Sequence, residues 1–298
     1  MPSSFSALAE RFRFLLPAGW RPAHPVVPVV RLSGVIGAVM PFRQGLSIAA
    51  VAPALERAFA TRDAAAVAIV INSPGGSAAQ SHLIFRRIRA LAEEKKLPVF
   101  AFIEDAGASG GYMLACAGDE IFADPSSLVG SIGVIAAGFG FDKLLERFGV
   151  ERRLHTAGTS KAMLDPFSPE RPEDVARLKG IQAQIHAMFV ALVEGRRAGR
   201  LKGEREALFS GAVWAGAEAL ELGLVDGLGD LRAVMRERFG EKVRLKPVAV
   251  ARPGLLACVL GRRGEPTIED GSAGAGLIDP AALFAAIEER AAWARLGL

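Results

Sequence analysis

Three short stretches of the sequence carry residue types that could do chemistry together. In EDAGASGGYMLACAGDE, Ser109 is set among Gly107, Gly110 and Gly111, where the apolar run Pro98–Ala106 gives way to small residues. A serine at a strand-to-helix turn presents its hydroxyl, and the amide of the following Gly110 is left bare. A nucleophile and an oxyanion donor would then be neighbours in the chain. The same serine could equally serve as a plain helix cap, a common use of this residue type. In VAIVINSPGGSAAQSH, a second apolar run, Val67–Ile71, stops at Ser73-Pro74-Gly75-Gly76. Pro74 has no N–H for a ladder, and paired glycines turn sharply with their amides unshielded by a Cβ. Amides of Gly75 and Gly76 can hold a negative oxygen, or form a tight turn and nothing more. Two donors from two turns, aimed at one oxygen, are what a tetrahedral acyl intermediate needs.

A serine needs a base to become a nucleophile. The four histidines, His24, His82, His155 and His186, show no metal-binding pairing. His155, the nearest after Ser109, precedes a polar turn and belongs to no recognisable triad pattern. Lysine can serve instead when burial keeps it neutral. HTAGTSKAMLDPFSP offers Lys161 among Gly158, Met163 and Leu164, whereas Lys95, Lys96 and Lys143 sit in charged or helical surroundings. A lone lysine is more often a solvated surface residue, so the residues alone leave both readings open.

Alternating strands and helices must position these groups. Pro25–Gly37 reads as a first strand, Ser47–Asp63 as a helix, Val67–Ile71 as a strand buried on both faces, and Ala78–Lys95 as a second helix opened by Ser77. Pro98–Ala106 is the next buried strand, followed by a short helix of small residues and a strand ending near Pro125. Such alternation is the signature of βαβ units around a largely parallel sheet. Ser168–Arg200 reads as one long helical stretch, acidic early and basic late to match the helix dipole, with Pro172 in its first turn. Shorter helical pieces fall near Glu204–Leu208 and Ala215–Leu222. Gly261–Gly276 reads as a loop and Pro280–Leu296 as a closing amphipathic helix.

The chain as a whole narrows the classes. Of 298 residues, 51% are hydrophobic and 23% charged, enough for a large core, and the net charge of +4 is modest and scattered. No nucleic-acid-binding pattern is present. Cys116 and Cys258 give neither a disulfide framework nor metal-ligand spacing, and read as packed thiols. No apolar stretch reaches the roughly 18 residues of a transmembrane helix. Glu10, Arg11 and Arg13 break any signal-peptide pattern. Phe5, Leu8, Phe12, Leu15 and Leu16 share one helical face, which could lie on a membrane surface or pack on protein. The expected location is the cytoplasm or the periphery of an inner membrane.

The motifs INSPGG, GASGGYMLACAGDEIFADPSSLVGSIGVI, AGTSKAMLDPFSP and FSGAVWAGAEALELGLVDGLGDL occur in an order and spacing that resembles the signal peptide peptidase A and SohB-like serine peptidases. The resemblance spans roughly Val26 to Val234 and rests on four linked motifs; SPGG alone is shared with Clp-type proteases and crotonase-fold enzymes. It implies a Clp/crotonase-like α/β fold and a Ser/Lys dyad, with Ser109 as nucleophile and Lys161 as general base. It further implies Gly76 and Gly110 amides as the oxyanion hole, with Gly75 in support, and Ser131 in VGSIGV orienting the lysine amine. No metal or cofactor is implied. Peptide or unfolded-protein substrates are implied, as are homo-oligomeric rings or domes whose sites combine neighbouring subunits. Two departures stand out: Ser160 replaces the tyrosine common before the lysine, and the N-terminal membrane anchor of many members is not found. The expected organisation is an N-terminal arm over 1–25, a peptidase domain over 26–240 and a C-terminal extension over 241–298. Two other readings are a crotonase-type acyl-CoA enzyme, which predicts carboxylates facing the site, and a non-catalytic scaffold.

Overall fold

The structure is a computed structural model that describes residues 24–37, 39–40, 43–158, 160–250 and 290–297. The elements run β1 (Val26–Ser33), a small hairpin of β2 (Val39–Met40) and β3 (Arg43–Gln44), α1 (Ile48–Phe59), β4 (Val67–Ser73), α2 (Ala78–Lys95) and β5 (Val99–Ala108). Then come α3 (Gly110–Ala115), β6 (Glu120–Ala123), β7 (Leu128–Gly130), α4 (Asp142–Arg147) and α5 (Pro172–Arg196). The chain continues through α6 (Arg205–Leu208), β8 (Val213–Ala215), α7 (Gly216–Glu221), β9 (Gly227–Leu228), α8 (Leu231–Phe239) and β10 (Arg244–Val248).

The main sheet has the order β10-β1-β4-β5-β6-β9, with β7 beside β5 and β8 beside β7. Every pairing in it is parallel except β7 with β8. This is the largely parallel α/β architecture the motifs imply. Strand periodicity explains its two cores. Val67, Ile69, Ile71, Val99, Ala101 and Ile103 face α1, α2 and α3 in the larger core. The alternate residues Ala68, Val70, Phe100 and Phe102 face Phe122, Val234 and Met235 in a smaller one. Both faces of β4 and β5 are covered, so the sequence there shows no polar alternation.

Local chemistry sets the helix ends. Ser47 caps α1 by accepting from the Ala50 amide at 3.3 Å, and Ser77 caps α2 through Gln80 at 3.4 Å. The helix expected over Ser168–Arg200 is shorter, because Pro172 can occupy only its first turn and the preceding residues form the approach. Residues 241–298, read as an extension, contribute β10, which pairs with β1 from Val26↔Arg244 to Val30↔Val248. The amphipathic arm and most of the closing helix lie outside the described residues; 290–294 are helical. Among the described residues, no helix is long and apolar enough to cross a membrane.

Candidate active site

β4 and β5 run in register from Val67↔Val99 to Ile71↔Ile103, and then Ser73 pairs with Gly107. The shift inserts extra residues into β5, an irregularity that bends the strand end and re-aims the turn beyond it. Asn72 staples it: its Nδ2 donates to Asp105 at 2.5 Å and its Oδ1 accepts the Ala106 amide at 3.3 Å. The turns that end the two strands are thereby brought side by side.

Ser109 emerges from β5 with φ +52° and ψ −121°, a sparsely populated conformation for a residue with a side chain. Its amide donates to Gly130 O at 2.8 Å. Its hydroxyl makes no cap bond with α3, so the plain-cap reading does not hold. Among the described residues the hydroxyl has no hydrogen-bond partner. Gly75 sits against it: a Cβ on Gly75 would lie 2.8 Å from Ser109 Cβ and 2.8 Å from Gly110 N. Gly75 also has φ +103°, open to glycine at little cost. The Gly75 carbonyl accepts from Ile36 N at 2.8 Å and Ser77 N donates to Ile36 O at 2.8 Å, fixing the turn from both sides. Neither the Gly76 amide nor the Gly110 amide donates to an acceptor among the described residues. Ser109, Gly75, Gly76 and Gly110 are thus brought together. Ser131 follows the carbonyl that binds Ser109, has φ +53°, and donates its amide to Ala212 O at 2.7 Å.

Lys161 is not joined to this group. It is exposed, its amide reaches only Gly158 O at 3.2 Å, and no hydrogen bond links its amine to Ser109 or Ser131. The apolar setting read from its neighbours is therefore absent within one chain. The reason is that its loop belongs to an arm in which no described residue from 135 to 173 is buried. Seven of the eleven large hydrophobics exposed among the described residues lie on this arm, from Ile135 and Phe139 to Phe148 and Phe167.

Sequence reading missed two residues. Asn72 was visible as the polar break at the end of an apolar run, and Asp165 as a carboxylate shortly after the lysine. His155 is exposed, while His186 on α5 has Nε2 3.2 Å from Ile132 O, beside Ser131. Cys116 is buried and its thiol is pushed up to about 12 by that burial; Cys258 lies outside the described residues.

The structure thus places a strained serine turn at the end of a strand of a largely parallel α/β sheet, beside two amides that donate to no described acceptor. The model of peptidase family S49 matches residues 91–243, just over half of the chain, and the chain belongs to that family. Among curated proteins it is 32% identical over 237 residues to "Serine protease SPPA, chloroplastic" of Arabidopsis thaliana, covering 76% of this chain and 34% of that protein. It is 33% identical over 165 residues to "Putative signal peptide peptidase SppA" of Enterococcus faecium, covering 55% and 47%. It is also 51% identical over 296 residues to "Na(+)/H(+) antiporter NhaA" of Brucella abortus (strain 2308), covering 98% of this chain but 40% of that protein. The chain thus spans less than half the length of each.

Proposed function

We propose that the chain is a serine endopeptidase that cleaves unfolded or membrane-associated peptides through a Ser109/Lys161 dyad. The observation that carries this reading is Ser109 itself: a strained serine with a free hydroxyl, pressed against Gly75 and flanked by two undonated amides. Neutral Lys161 takes the Ser109 proton as Oγ attacks the peptide carbonyl, and the Gly76 and Gly110 amides receive the oxyanion. Ser131 orients the amine. Lys161 then protonates the leaving amine, and water hydrolyses the acyl-enzyme. The exposure of Lys161 within one chain supports a site completed by a second copy. Apolar residues of the arm, such as Phe139 at 78% and Phe148 at 72% exposed, would be covered in that assembly.

The test is mass-spectrometric readout of a mixed peptide library cut by the wild type, Ser109→Ala and Lys161→Ala. Both variants should lose cleavage while retaining fold and oligomer size. Cleavage surviving in Ser109→Ala sinks the mechanism.

A second element of the reading concerns a partner. Nearly all of this chain aligns with part of a longer protein named as an antiporter, yet no described helix could span a membrane. The rest of that protein lies outside the aligned segment. One polypeptide carrying both parts favours a membrane cation antiporter as a neighbour or client of this peptidase. Co-purification from detergent extracts, compared with unrelated membrane proteins, checks it.

A further inference from the structure

We propose that Asp165 is a positioning residue for Lys161, the anchor that fixes the lysine's loop on its arm. This rests on the Ser109/Lys161 reading above. The Asp165 side chain is only 7% exposed, although the arm around it has no buried core. A carboxylate enclosed in that way must be satisfied by donors. It has three: the Arg152 guanidinium, Ser168 Oγ at 2.8 Å and the Phe167 amide at 3.4 Å.

The same point ties three segments together. Arg152 lies over the Phe167 ring at 5.0 Å, Phe167 packs on Phe141 with ring centres 5.6 Å apart, and the Phe141 amide donates to Pro166 O at 2.6 Å. Among the described residues, every hydrogen bond or ring contact that leaves the segment 158–168 for a distant part of the chain passes through Asp165, Pro166 or Phe167. Lys161 lies four residues before this anchor, across a turn in which Leu164 adopts φ +55°. The lysine's own local tether is the weak turn bond to Gly158. Hydrogen bonds from Arg152 and Ser168 hold the carboxyl down at about 2, so the anchor keeps its charge throughout any working range.

A general base must be held within a fraction of an ångström of its proton donor, and a misplacement of about 1 Å can cost on the order of 100-fold in rate. An anchor that acts only by positioning the base should change kcat and leave KM alone. The experiment measures kcat, KM, melting temperature and oligomer size for wild type, Asp165→Asn, Arg152→Gln and the double variant, beside Ser109→Ala and Lys161→Ala. The expected result is a fall in kcat of about 30-fold for either single variant, with KM within about two-fold. The double variant should be no worse than either single one, because both remove the same anchor. Wild-type kcat in Asp165→Asn, with Ser109→Ala and Lys161→Ala inactive, overturns the anchor and leaves the dyad standing. Additive losses in the double variant, or a rise in KM in place of the fall in kcat, overturn it too. Full activity in Lys161→Ala instead removes the dyad on which the proposal rests. Should Asp165→Asn fail to fold, Ser168→Ala removes one donor alone; a kcat loss of about three-fold supports the anchor, and unchanged kcat overturns it.

Discussion

Backbone strain at Ser109 is a choice the surroundings enforce. A non-glycine residue at positive φ costs about 1–3 kcal/mol and persists only where neighbours over-determine it. Here the Gly130 carbonyl holds the Ser109 amide, and Gly75 leaves no room for the turn to relax toward it. Gly75→Ala is therefore expected to disturb the Ser109 turn directly. Its Cβ would meet Ser109 Cβ and Gly110 N at 2.8 Å from a backbone with φ +103°. Peptide cleavage should fall by about 100-fold or more, as for loss of an oxyanion donor. Denaturant unfolding should show a loss of about 1–3 kcal/mol. Wild-type cleavage in this variant would mean that the turn has no part in the chemistry.

Among the elements, α5 is the one that must be pinned, since it leads from the arm back to the sheet. Phe189, Val190 and Val193 bury against the larger core, and the arginines at its end do the rest. Arg197, 1% exposed, donates to Gly223 O at 3.0 and 2.8 Å and to Asp226 at 2.7 and 2.9 Å. Arg196 reaches the Cys116 and Gly118 carbonyls at 2.8 Å each, behind α3. Asp226 also accepts the Ile121 amide at 2.8 Å, so helix, strand and turn share one charge cluster. Removing one partner of a buried pair leaves the other uncompensated, at a cost of about 3–5 kcal/mol. Arg197→Ala should show that loss as a lower urea midpoint at unchanged slope. A midpoint shift under about 1 kcal/mol would mean that the cluster is solvated and dispensable.

For the molecule as a whole, the arm poses the question of where the base comes from. An exposed run of large apolar side chains on a peptidase-family chain is surface awaiting cover. On the proposed reading the cover is another copy, which would also enclose Lys161. If each site takes its serine from one chain and its lysine from another, inactive Ser109→Ala and Lys161→Ala chains should rescue each other. Co-assembled in equal amounts, they should recover about a quarter of wild-type cleavage, the share of sites with both groups intact in a randomly mixed ring. No recovery on mixing, with mixed oligomers verified by mass, would place both groups within one chain.

What the sequence by itself determined was local. Apolar runs ending in Ser-Pro-Gly-Gly and Gly-Ala-Ser-Gly-Gly marked two strand-to-helix turns, and Ser77 marked a helix start, because turn and cap chemistry act over a few residues. The parallel sheet followed from the alternation of such units. What the tertiary structure decided was where those turns meet. The register shift after Ile71, stapled by Asn72, puts Gly75 against Ser109, and no periodicity in either strand announces it. It also decided that Lys161, apolar by its neighbours in sequence, stands in solvent on an arm tied through Asp165. Adjacency in the chain records composition, whereas burial depends on which surfaces close over a residue, and here the chain's own surfaces do not.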